Sequence, residues 1–228
     1  MENLPLYVKI HFLVTTLLAV GITWKATRYS KPFVLIVASW LVLQAILGLK
    51  GFYTVTTGIP PRFTLLVLPP LVMITIQFIT KKGRAFIDNL DLAYLTLLHI
   101  VRIPVEITLF LLFVNKLVPD VMTFEGRNFD ILSGITAIVV YYFGFVRKVL
   151  SWKILLAWNI VCLALLVNIV ATAVLSAPFP FQQLGFEQPN IALLYFPFVW
   201  LPCCVVPLVL FSHLVAIRRY IKTKAANY

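Results

Sequence analysis

Several stretches of this chain run for about 20 residues with scarcely a charge, the length an α-helix needs to cross a hydrocarbon layer of about 30 Å. Leu155 to Ala177 contains no ionisable side chain apart from Cys162, and the stretches around it repeat the pattern. Such runs leave few folds open. A β-barrel needs shorter segments of alternating polarity. These runs are continuous, so they predict helices that hydrogen-bond their own backbone and turn apolar side chains outward.

Composition supports that reading. Hydrophobic residues make up 61% of the chain and charged residues 12%, with a mean hydropathy of +0.98, more apolar surface than a soluble domain of this size can bury. The formal net charge is +11. In a soluble protein this would suggest nucleic acid. Here the basic residues cluster between apolar runs, which points to anionic lipid and cytoplasmic loops instead. Cys162, Cys203 and Cys204 lie inside apolar runs without a CxxC, so no disulfide framework is expected.

The expected fold is an all-α, single-domain bundle of seven spans, at about 6–24, 32–51, 63–80, 91–118, 131–145, 155–177 and 190–217. The first run has no basic leader or small-residue cleavage site around it and reads as a retained span. Pro69-Pro70 should kink the third span. Thr56 to Arg62, TTGIPPR, reads as a turn-rich loop. Links after spans one, three and five, with the tail through Lys224, carry 13 Lys or Arg, against 5 on the opposite side. The positive-inside rule then places the N-terminus outside and the C-terminus in the cytoplasm, in a membrane expected to be the bacterial inner (plasma) membrane. Phe124-Glu125-x-x-Asn128 before span five is echoed by Phe186-Glu187-x-x-Asn190 before span seven. Both read as helix starts with Asn caps, or as two outer loops forming a polar lid.

The candidate site lies on span four, in DNLDLAYLTLLHIVRIPVE. Ionisable groups inside a span are rare and usually face the bundle interior. His99, Arg102 and Glu106 fall within about 60° on one helical face, and Asp91 continues the stripe toward the cytoplasm. Arg102 and Glu106 can pair at i, i+4. Pro104 should free a backbone carbonyl near residue 100. His11 is expected near the level of Glu106, where it can join Glu106 and His99 in holding a metal or carrying protons. His99 with His213 can be read as axial haem ligands. Gln44, Gln77, Asn159, Asn168, Thr172 and Ser212 are expected to make interhelical hydrogen bonds. Prolines 197, 202 and 207 should make the last span irregular.

These residues lead to a membrane protein that binds or transports a small molecule or ion with proton coupling. Arg102 would receive an anionic group or fix Glu106, Glu106 would exchange a proton, and His99 would relay it. Alternatives are a haem- or quinone-linked redox protein using His99 and His213, and a structural or assembly subunit with a membrane-protein partner or a second copy of itself. A lipid enzyme would have to use His213 with Asp91. The layout of seven spans with an outer N-terminus is that of rhodopsins and G-protein-coupled receptors, in topology alone. A retinal Schiff base is not expected, because Lys222 follows the last span. No HExxH, GxSxG or P-loop pattern is present, so the reading leans away from an enzyme, and no nucleic-acid partner is expected.

Overall fold

The computed structural model describes residues 4–58 and 60–226, with side chains to residue 222. Ile59, inside the expected turn-rich loop, and the side chain of Lys224 lie outside the described residues. Every regular element among them is helical. The principal helices are α1 (Leu6–Ala26), α2 (Lys31–Leu49), α3 (Thr64–Ile79), α4 (Lys81–Asp88), α5 (Leu92–Leu98), α6 (Arg102–Val114), α7 (Ile131–Tyr141), α8 (Trp152–Leu175) and α9 (Val206–Ala226). Five helical segments are long and apolar enough to cross a membrane: α1, α2, α5 with α6, α8, and Leu201–Lys222. The pair α3–α4 is bent by 90° and qualifies only if both helices count as one segment, while Ile131–Val146 is apolar but shorter. The exterior is rich in exposed large hydrophobic residues, Leu6, Leu35 and Ile79 among them.

Local chemistry sets the boundaries. Ser30 caps α2, accepting from the Phe33 amide, and Pro32 sits in the first turn, where its missing N–H does no harm. α3 runs through Pro69 and Pro70, and the sharp bend falls later, at Thr80. There the Thr80 hydroxyl accepts from the Gly83 amide, starting a new helix. The bend needs a glycine: a Cβ on Gly83 would stand 2.5 Å from the backbone of Gln77. α4 carries Asp88, exposed and paired with Arg218 and Lys222. This pairing, mainly the Arg218 hydrogen bond, lowers the Asp88 carboxyl below its ordinary value. A lowered folded-state pKa stabilises the fold fully above the unfolded value of about 3.9 and fades as pH falls through the lower folded value. Asp88→Asn is therefore expected to cost under about 1 kcal/mol in thermal melts at neutral pH, with the difference vanishing in acid.

The fourth and seventh segments depart from the expected continuous spans. Between α5 and α6 the chain tightens into a 3₁₀ turn, His99–Val101, just ahead of Pro104, whose ring cannot accommodate a regular turn before it. α6 then ends at Val114, short of residue 118. The last span does not begin at Asn190. Residues 190–200 form an irregular segment with a 3₁₀ turn at Ala192–Leu194, and the helix starts with a π turn at Leu201–Val205. Pro189, Pro197, Pro202 and Pro207 prevent one uninterrupted helix. Pro207 has no N–H for the carbonyl of Cys203, four residues earlier. Trp40 Nε1 donates to that carbonyl instead, at 3.0 Å. Much of this segment is fully buried, including Ala192, Phe198 and Val199, as non-helical backbone in an apolar surrounding requires.

α1 packs on α5 and α6, and α8 packs on α9. α7 crosses the 3₁₀ turn closely. A Cβ on Gly134 would lie 2.8 Å from Ile103 Cγ1 and 3.1 Å from the Ile103 amide. This contact sets α7, with Asp130 at its N-terminus, against the start of α6, where Arg102 emerges.

Candidate functional site

Arg102 is 2% exposed, and it is not paired with Glu106 as the i, i+4 spacing suggested. Its Nε lies 2.8 Å from Asp130 Oδ2 across the α6–α7 contact. The 3₁₀ turn and Pro104 rotate the start of α6, and α7 brings a carboxylate closer than the one on Arg102's own helix. The remaining guanidinium nitrogens face other helices. Nη2 donates to the Cys162 carbonyl on α8 at 3.1 Å, and Nη1 lies 3.4 Å from His213 Nε2 on α9.

Glu106, 1% exposed, is held by Asn128. The Asn128 amide nitrogen donates to both carboxylate oxygens, at 2.6 and 2.7 Å, and to the Met122 carbonyl at 3.0 Å. Asn128 Oδ1 accepts from the Asp130 amide at 3.0 Å, which fixes the orientation of the side chain. Asn128 is thus not a helix cap. α7 begins after Asp130 without a side-chain cap. Asn190 likewise turns inward, donating to the Ala173 carbonyl on α8 at 3.0 Å.

The two histidines meet. His99 and His213 stack with ring centroids 3.9 Å apart and an interplanar angle of 23°, and both are buried. His213 Nδ1 is 2.9 Å from Asn159 Oδ1. Asn159 Nδ2 is taken by the Leu155 carbonyl, so Asn159 offers oxygen and His213 carries its proton on Nδ1. His213 Nε2 is then the acceptor facing Arg102. His99 Nε2 lies 3.0 Å from Ser212 Oγ, whose hydrogen goes to the Val209 carbonyl. His99 therefore donates from Nε2, leaving Nδ1 as a buried lone pair with no hydrogen-bond partner among the described residues. Trp158 closes the cluster edge-on to His99 at 5.4 Å.

The result is a buried polar file: Glu106, Asn128, Asp130, Arg102, then His213 stacked on His99, then Ser212. Of the residues expected on the stripe, Arg102, Glu106 and His99 belong to it, and His213 joins them. Asp91 does not. Its carboxylate accepts from the Ala93 amide at 2.8 Å and starts α5, and no His213–Asp91 pair forms. His11 is bonded to Thr108 at 3.0 Å, and among the described residues no three His, Cys, Asp or Glu side chains converge as a metal-ligand set. Three of the four histidine ring nitrogens face Asn159, Arg102 and Ser212. From the sequence, Asn128 reads as a cap at a helix start and Asp130 is not singled out. A signal for Asp130 was present: a lone arginine in an apolar run requires a carboxylate, and Asp130 directly precedes the run of α7.

Fold and site together define a class: an all-helical protein with helices long and apolar enough to cross a membrane, wrapped around a buried arginine–carboxylate–histidine file. Residues 59–221 match the family described as Domain of unknown function (DUF8737), and the chain belongs to that family. Comparison with curated proteins and with solved structures gave no match.

Proposed function

We propose that this chain is a seven-span integral membrane protein that binds or transports a small ion or molecule with proton coupling, and that Glu106 is the exchanging group. In this reading α3 and α7 complete the seven crossings beside the five longer segments. α4 lies at the headgroup level, and the basic links face the cytoplasm.

One observation carries the reading: two buried carboxylates stand in the file with one buried arginine, which pairs with only one of them. Asp130 has Arg102 and the positive end of α7. Glu106 has an uncharged amide, Asn128. Both histidines are neutral in the hydrogen-bond pattern given above. The file therefore carries one uncompensated negative charge, and burying such a charge costs several kcal/mol. A proton or small cation at Glu106 restores balance, so its arrival and departure are coupled to the site's energy. Arg102 then holds Asp130 in place, Asn128 positions Glu106, and the free Nδ1 of His99 offers a next proton acceptor along the file.

The test is infrared spectroscopy of the protein in nanodiscs. A carboxylic-acid C=O band sensitive to H/D exchange is expected, lost in Glu106→Gln and retained in Asp91→Asn. If the band persists in a folded Glu106→Gln variant, or never appears, Glu106 does not hold the proton.

A further inference from the structure

A second feature lies away from the polar file. α2 and α3 stand apart, leaving a lateral groove of about 1300 Å³. Its floor is the π turn and start of α9, with Cys203, Cys204 and Phe211, and Trp40 and Met73 line its walls. This exceeds the ~300–1,000 Å³ of ordinary small-molecule pockets, and the groove is open along its side rather than enclosed. At one end the lining changes to Lys81 and Lys82, placed there by the 90° bend into α4. Both lysines are exposed, and neither has an ion partner among the described residues. The acid on the same helix, Asp88, is already held by Arg218 and Lys222. Lys82's neighbour Gly83 lets α4 fold tightly against Gln77, which keeps both lysines at the groove mouth.

We infer that this groove is a binding site for one anionic phospholipid, its acyl chain lying along the apolar floor and its phosphate received by Lys81 and Lys82. The arrangement matches the amphiphile part for part. An uncharged trough opens sideways to where lipid chains lie, and an uncompensated dication stands at one end, the level of a headgroup. A wholly apolar helix, from a second copy or a partner, would fill the trough but leave the lysines unmatched.

Native mass spectrometry of the full chain, released from micelles doped with phosphatidylglycerol or phosphatidylcholine, tests this. The wild type is expected to retain one phosphatidylglycerol at about tenfold lower lipid concentration than phosphatidylcholine, since each lysine near an anionic headgroup contributes appreciably. Lys81→Ala with Lys82→Ala should abolish the preference, and Lys81→Arg with Lys82→Arg should keep it. Ile36→Trp, which fills the groove from the exposed side of α2, should lower retention of both lipids while the basic mouth is intact. Equal retention of the two lipids by the wild type, or a preference that survives the double alanine variant, overturns the proposal. So does a groove occupied by a copurified protein chain in place of lipid. None of these variants touches Glu106 or Arg102, so failure here leaves the proton reading standing.

Discussion

Replacing Arg102 with alanine is expected to destabilise the protein by about 3–5 kcal/mol, the cost of leaving a buried ion pair without one partner. The loss is large because Arg102 joins three helices. It neutralises Asp130 from α7, satisfies the Cys162 carbonyl on α8 and faces His213 on α9. Without it, two buried carboxylates face each other's field with no cation. Arg102→Lys should recover part of the loss, since one ammonium reaches one partner where the guanidinium reaches several. The decisive comparison is the double variant Arg102→Met with Asp130→Leu. Removing both charges should cost less than the sum of the single changes, because no charge is left stranded. Denaturant titration in mixed micelles reads these proteins together with the single Arg102→Met and Asp130→Leu variants that complete the cycle. A single Arg102→Ala variant as stable as wild type would mean that the pair is not buried as described.

Gly126→Val should be nearly as disruptive, at about 3 kcal/mol, although it lies in a loop. A Cβ there would stand 2.4 Å from the Asp120 carbonyl oxygen and 2.8 Å from Val121 Cα, and backbone atoms cannot swing aside as side chains do. The turn from Asp120 to Gly126 is what folds the loop inward, closed by the Gly126 amide on the Thr123 carbonyl at 3.0 Å. Opening it moves Asn128 and Asp130 together, the two groups that hold Glu106 and Arg102. The expected signature is a joint loss: lower stability, and a carboxyl infrared band at Glu106 that is shifted or gone. Glu125→Ala, one residue earlier on the exposed side, should leave both unchanged. A Gly126→Val protein with native stability and an unaltered band would show that the loop does not position the file.

The helical class was legible because burying apolar surface leaves a direct trace in composition and run length. The first half of the site was legible for a similar reason. Charge within an apolar run is costly, so His99, Arg102 and Glu106 stood out, and their spacing put them on one face. Their partners were not legible, because one sequence carries no information on which helices are neighbours. The i, i+4 pairing of Arg102 with Glu106 was the best local guess. It fails because the 3₁₀ turn before Pro104 and the close crossing at Gly134 bring Asp130 nearer. The echoed Phe-Glu-x-x-Asn segments were visible, but their meaning was not. Both asparagines turn inward to backbone or carboxylate, which cap statistics could not predict. The sequence sets His213 beside His99 as an axial haem ligand and gives Asn159 an unspecified interhelical hydrogen bond; that the two bond each other across α8 and α9 shows only in the structure.

The central claim is that Glu106 takes up and releases a proton within the buried file. The most direct measurement is proton flux into proteoliposomes carrying an internal pH-sensitive dye, driven by an imposed membrane potential, with small cations and organic ions supplied outside. Wild-type protein should support flux, Glu106→Gln should reduce it by about a hundredfold, the scale for losing a positioned proton-transfer group, and Asp91→Asn should leave it near wild type. Equal flux through wild type and a folded Glu106→Gln protein would contradict the account.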